Sequence, residues 1–184
     1  MYPGSFDPLT IAHLAVAEAA VLHLGLDRVD LAISRDALGK SHLGEDTVGH
    51  RVAAIERAAA PRPWLGVVVV DTRLVADIAE GYDAVIMGAD KWAQVMDPRW
   101  YGGDPAARDA AVARLPRVAV APRGDVAVPS GLLLPVPDHL AEVSASAVRS
   151  GRRDWAAREI DPTDSTDPTG RTDPTDDTTD RARS

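Results

Sequence analysis

The chain has 184 residues, 45% of them hydrophobic but only 4% aromatic, which suits one domain with a core of Ala, Val and Leu. It contains no cysteine, and this excludes disulfides, thiolate metal sites and a cysteine nucleophile. A net charge of −8 excludes a global attraction for nucleic acid, so any phosphate must be handled by a few local groups.

The first feature is Gly4-Ser5-Phe6-Asp7-Pro8-Leu9-Thr10-Ile11-Ala12-His13. Gly4 tolerates positive φ and close backbone approach. Asp7-Pro8 forces a turn. Thr10 is placed to cap the helix that follows, whose free N–H groups form a positive pole. His13 falls in the first turn and faces the same space. The segment reads equally well as an ordinary strand-turn-helix or as an anion site with a donor beside it.

Leu14, Ala17, Ala20, Val21 and Leu24 then follow the spacing of a helix with one buried face, stopped by Gly25. Residues 29–33 form an apolar strand, followed by a polar stretch from Ser34 to Lys40. A helix is expected over 47–59, with Val48, Val52, Ile55 and Ala59 on one side and Pro61 and Pro63 ending it. Strands follow at 65–70 and 83–87, with a helix at about 72–80 between them. A helix at 106–115 and a strand at 118–121 complete the pattern. Continuous apolar strands alternating with helices indicate an α/β fold with a doubly wound parallel sheet. In such sheets ligands collect beyond the carboxyl ends of the strands. Ser34 to Lys40, Gly88-Ala89-Asp90 and Pro122-Arg123-Gly124 fall there, consistent with one shared site.

Beyond this domain, residues 1–158, the composition changes. In the tail, residues 159–184, Asp161-Pro-Thr recurs at Asp167 and Asp173. Residues 161–184 hold seven Asp against three Arg. So acidic and apolar-poor a segment does not bury enough surface to offset its ordering entropy, and a disordered acidic Asp-Pro-Thr repeat is expected. No apolar run approaches the ~20 residues that cross a bilayer, and no charged-then-apolar leader precedes the opening turn. A cytoplasmic location with no membrane partner is therefore expected.

The segment GSFDPLTIAH resembles the signature of the HxGH nucleotidyltransferase superfamily, the cytidylyltransferase-like proteins, whose members transfer a nucleoside monophosphate from ATP or CTP. Thr10 stands for the first histidine, as in the TxGH variant of pantetheine-phosphate adenylyltransferases. His13 stands for the second, and Ala12 replaces the usual glycine. Far downstream, Val143-Ser144-Ala145-Ser146-Ala147-Val148-Arg149 resembles the family's ISSTxxR element, with alanine at two of its hydroxyl positions. Val85-Ile86-Met87-Gly88-Ala89-Asp90, followed by Trp92 and Trp100, is similar to the GAD…W stretch of nicotinate-mononucleotide adenylyltransferases. Lys40 and Arg51 resemble the family's lysine and its downstream arginine, while His42 and His50 are read as bystanders.

The resemblance implies a Rossmann-like nucleotidyltransferase fold. It places the nucleotide on Gly4, Ser5, Phe6, Thr10, His13, Gly88, Asp90, Ser144, Ser146 and Arg149, with His13, Arg149 and Lys40 acting on the phosphates. Asp90 would accept from the ribose hydroxyls. Arg51 and one of Trp92 and Trp100, two tryptophans read as lying in one polar loop, would hold the acceptor. Mg²⁺ would arrive on the nucleotide phosphates rather than in a protein metal site. The implied reaction joins ATP, or less readily CTP, to a small phosphorylated acceptor, with nicotinate mononucleotide favoured as part of NAD biosynthesis. Pantetheine phosphate, a small phosphate taking CTP, and a nucleotide-binding paralogue without transfer activity stay as alternatives, and self-association is left open. The family places a buried strand before the turn, where only Met1-Tyr2-Pro3 stand. Either the true start lies upstream, which is the favoured reading, or the first strand is truncated and the motif poorly anchored.

Overall fold

The computed structural model describes residues 1–157 apart from Leu38, Lys40 and Ala141. The candidate phosphate-handling lysine, Lys40, and the acidic tail therefore lie outside the described residues.

Five strands are described: β1 (Tyr2–Pro3), β2 (Val29–Ser34), β3 (Leu65–Val70), β4 (Ala84–Gly88) and β5 (Arg117–Ala121). β1 pairs with β2, β2 with β3 and β4 with β5, all parallel. Met1 joins the two groups, since its amine donates to the Ala84 carbonyl at 2.8 Å and its own carbonyl accepts from Ile86 N–H at 2.9 Å. Laid side by side, the strands run β3-β2-β1-β4-β5. The order reverses between β1 and β4, and the crevice at such a reversal is where doubly wound sheets bind ligands.

The short first strand is nonetheless well held. Met1 is 2% exposed and fills the centre of the sheet. Pro3 has no N–H to continue the ladder, so the strand ends there and the chain turns outward, with Gly4 N–H still donating to the Ala32 carbonyl at 3.0 Å. β1 is only two residues long, and the turn that follows it is anchored on β2 through that bond.

Both faces of the sheet are covered, which explains the uninterrupted apolar strands. Leu31, Ile33 and Ile86 point into one core layer with Val16, Ala17 and Ala20 of helix α1 (Ile11–Leu24) and Ile55 of α2 (Glu45–Ala59). Ala32, Val85 and Met87, the alternate positions, point into a second layer. That layer is closed by α3 (Val75–Ile78), α4 (Ala89–Val95) and α5 (Pro105–Ala113). α1 ends where Gly25 turns left-handed, with φ of 65° and its N–H on the Val21 carbonyl. Asp104 caps α5, accepting from Ala106 N–H, and Pro105 takes the first helical position.

Two readings need correction. The helix expected over 72–80 is a single turn, Val75–Ile78. Residues 89–95, read as a polar loop carrying tryptophans, are helix α4. Ala89, Trp92 and Val95 repeat every three residues along it and pack toward the second core layer. The last helix, α6, is short (Ala145–Arg149).

Candidate active site

The opening turn is locked by its own side chains. Phe6 has a φ of +46°, a left-handed conformation that is unusual for a bulky residue. Its ring is buried and stands edge-on to Tyr2 at 5.5 Å and to His13 at 5.1 Å. The ring lies so close to Gly4 that a Cβ there would come within 2.6 Å of it. Glycine at position 4 is therefore a packing requirement.

Thr10 and His13 interlock as a capping box at the start of α1. The Thr10 hydroxyl accepts from His13 N–H at 3.3 Å, and Thr10 N–H donates to His13 Nδ1 at 3.0 Å. A backbone N–H only donates, so Nδ1 is an acceptor and the neutral ring carries its proton on Nε2. Burial, with a smaller contribution from nearby Arg123, lowers the His13 pKa from 6.5 to about 4. His13 is thus a neutral donor through Nε2 at physiological pH. Beside it, the first-turn amides of Ile11 and Ala12 have no acceptor within the helix, as at any helix start.

Clefts open at the carboxyl ends of the strands on either side of this turn. One, of about 280 Å³, is bordered by Gly4, Phe6, His13, Gly88, Asp90 and Arg123. Another, of about 270 Å³, brings Ser5, Asp7, His13, Arg51, Ser146 and Arg149 together, again with Arg123. His13, Phe6 and Arg123 line both. Ala12, at the position of the family's glycine, lines a smaller recess of about 50 Å³ beside His13.

Three arginines crowd the second cleft against one carboxylate. Arg51 donates from Nη1 to the Ser5 carbonyl and pairs through Nη2 with Asp7, both at 3.1 Å. Its Nε is buried and has no hydrogen-bond partner among the described residues. Arg149 reaches back from α6 to the Asp7 carbonyl through Nη1 and to Ser146 Oγ through Nη2, the latter at 3.0 Å. Ser144 caps α6 by accepting from Ala147 N–H at 3.1 Å. The opening turn and the distant arginine helix therefore face one cavity. A site with several guanidinium forks and a helix start is chemically suited to a polyphosphate.

The sequence of the cytidylyltransferase-like family matches residues 1–151 of this chain. The chain belongs to that family. Among relatives, a probable nicotinate-nucleotide adenylyltransferase of Bordetella petrii is 42% identical over 64 residues, which is 35% of this chain and 32% of that protein. A protein of the same name from Bordetella pertussis is 38% identical over a stretch of the same length and coverage. A phosphopantetheine adenylyltransferase of Rhizorhabdus wittichii is 32% identical over 87 residues, 47% of this chain and 49% of that protein. The matches thus span between about a third and a half of these relatives' length.

Within this cytidylyltransferase-like domain the candidate residues do not all meet. Gly4, Ser5, Phe6, His13, Gly88, Asp90, Arg51, Ser146 and Arg149 line the two larger clefts. Thr10 and Ser144 act as helix caps behind them. Trp92 packs against the second core layer, and the Trp100 ring lies over Gly39; neither borders the clefts described above. Other residues also border these spaces. Arg123 pairs with Asp90 at 3.3 Å across the first cleft. Arg73 and Ser34 join Ser5 and Lys91 around a recess of about 100 Å³ on the far side of Gly4. Their only sequence signal is position: each follows or ends an apolar strand, at the edge where ligands gather. Among the described residues there is no cluster of three His, Asp or Glu that would hold a metal ion, and no helix long and apolar enough to cross a membrane.

Proposed function

We propose that this chain is a nucleotidyltransferase that moves an adenylyl group from ATP to nicotinate mononucleotide and releases pyrophosphate. The observation that carries the reading is the shared cleft of about 270 Å³, which His13 and Arg149 border together with Arg51 and Arg123.

The chemistry needs no enzyme nucleophile. A phosphate oxygen of the acceptor attacks the α-phosphorus in line, the bond to the bridging oxygen of the β-phosphate breaks, and pyrophosphate departs. The protein's part is to align two anions and neutralise the charge that builds on the leaving group. His13 donates from Nε2 to the α- or β-phosphate oxygens while its Nδ1 stays fixed on Thr10 N–H. The first-turn amides of α1 add donors along the same line. Arg149 holds the departing pyrophosphate, and Asp90 accepts from the ribose hydroxyls. Mg²⁺ would be held by the triphosphate oxygens and would supply charge neutralisation there. The carboxylates at the clefts, Asp7 and Asp90, each sit against an arginine, a donor set suited to an ion held by phosphate rather than by a protein cage.

Pantetheine phosphate is the second reading for the acceptor. It is favoured by Thr10 at the first signature position and by the 87-residue likeness to a phosphopantetheine adenylyltransferase. The test is pyrophosphate release from ATP and from CTP, each offered nicotinate mononucleotide, 4′-phosphopantetheine and glycerol 3-phosphate. Release with ATP and nicotinate mononucleotide is expected. Release with 4′-phosphopantetheine alone moves the assignment to the second reading. Nucleotide binding without release from any pair refutes transfer and leaves a binding protein.

A further inference from the structure

Arg123 has a position that the reaction described above does not use. It lies just beyond β5 and lines the 280 Å³ cleft, the 270 Å³ cleft and the recess between them. It therefore borders both the cleft that holds Asp90 and the cleft that holds Arg149. Resting on the adenylyl-transfer reading, we infer that Arg123 is a transferable cation. It is held by Asp90 in this structure, and it passes to the nucleotide's phosphate chain as Asp90 takes up the sugar hydroxyls.

Three observations carry this. The ion pair runs through Nε of Arg123 to Oδ2 of Asp90 at 3.3 Å, so among the described residues the forked Nη1 and Nη2 edge stays available for phosphate. Both side chains are substantially exposed, 43% for Arg123 and 61% for Asp90, and breaking such a pair costs no more than a few-fold in an equilibrium constant. Asp90 borders only the first of these clefts, whereas Arg123 borders all three, so the cation can change partner without leaving its loop. The exchange also settles an electrostatic conflict. A carboxylate left beside a triphosphate repels it, whereas one engaged by two hydroxyl donors is stabilised where it stands. Correct placement of the sugar would then release the arginine that binds the phosphates, coupling the two halves of nucleotide recognition.

Pyrophosphate has no sugar and isolates the exchange. Its affinity for the full chain is to be measured by calorimetry in the wild type, Asp90→Asn, Arg123→Gln, the double variant and Arg123→Lys. With the competitor removed, Asp90→Asn is expected to bind pyrophosphate roughly 3- to 10-fold more tightly. Arg123→Gln is expected to bind it on the order of 10- to 100-fold more weakly. The double variant should match Arg123→Gln, because the gain at position 90 acts through the arginine. The same Asp90→Asn gain in the Arg123→Gln background would reveal a general charge effect and overturn the exchange, as would wild-type affinity in Arg123→Gln. If Arg123→Gln does not fold, Arg123→Lys decides: a loss of about 3- to 10-fold is expected from a cation without the planar fork, and an unchanged affinity overturns the proposal. Pyrophosphate production by the wild type is followed in parallel. Turnover without the cycle sinks the Arg123 inference alone, and the cycle without turnover sinks the transfer reading alone.

Discussion

His13 gives the most quantitative consequence of the site. Its Nδ1 accepts from Thr10 N–H, so a proton on Nδ1 would set two donors against each other at the start of α1. Burial lowers its pKa from 6.5 to about 4, so the unfolded chain takes up the proton first as the pH falls. Stability is therefore fully present above about pH 6.5 and is lost as the pH falls toward 4. A shift of this size corresponds to about 3 kcal/mol in all, of which about 2 kcal/mol is lost between pH 7 and pH 5. His13→Gln keeps a polar side chain of similar reach but does not titrate. Urea unfolding followed by circular dichroism at pH 7, 6, 5 and 4.5 separates this contribution from the carboxylates common to both proteins. On moving from pH 7 to pH 5, the wild-type midpoint should fall by about 1 M urea more than that of the variant. Parallel pH dependence in the two proteins would refute the buried, neutral acceptor geometry.

Other substitutions test the neighbouring contacts. Gly4→Ala sets a methyl against the Phe6 ring and should cost about 1–3 kcal/mol, read as a lowered midpoint in thermal unfolding; a stability-neutral outcome would show that the turn yields easily. Thr10→Val keeps the shape but loses the capping oxygen, for a loss of about 1 kcal/mol that Thr10→Ser should largely restore. Arg149→Gln unties α6 from the Asp7 carbonyl and removes a phosphate ligand. It should lower kcat/KM for ATP on the order of 10- to 100-fold in the pyrophosphate assay, with little change in melting temperature because the side chain is exposed.

The sheet was legible because β2, β3, β4 and β5 are covered on both faces, and burial on both sides writes an unbroken apolar run into the sequence. β1 leaves no such run. A two-residue strand ending in proline carries no periodicity, and its place at the centre of the sheet comes from Met1 and Ile86 backbone hydrogen bonds. Helix α4 was missed because Asp90, Lys91 and Gln94 make its first two turns look polar, while its packing face is only Ala89, Trp92 and Val95. The two tryptophans do not share one polar loop: Trp92 packs toward the core from α4, and Trp100 lies against Gly39. In the site, residues within one segment were readable from spacing, as Thr10 and His13 were. The meeting of His13 with Arg149 could be expected only from likeness to a family, since the fold alone brings those segments together. Arg123 had no such pattern. Nothing in Pro122-Arg123-Gly124 says that this arginine borders both clefts, because that depends on where β5 ends relative to β4.

Transfer at this site requires a single polyphosphate to be gripped from both sides. Amide chemical shifts of the isotope-labelled chain, followed as a non-hydrolysable ATP analogue is added with Mg²⁺, test this directly. Resonances of Gly4–His13 and of Ser144–Arg149 should move together and fit one shared dissociation constant, and Arg149→Gln should weaken the response at His13. If only one of the two segments responds, or each follows its own constant, the nucleotide does not bridge them.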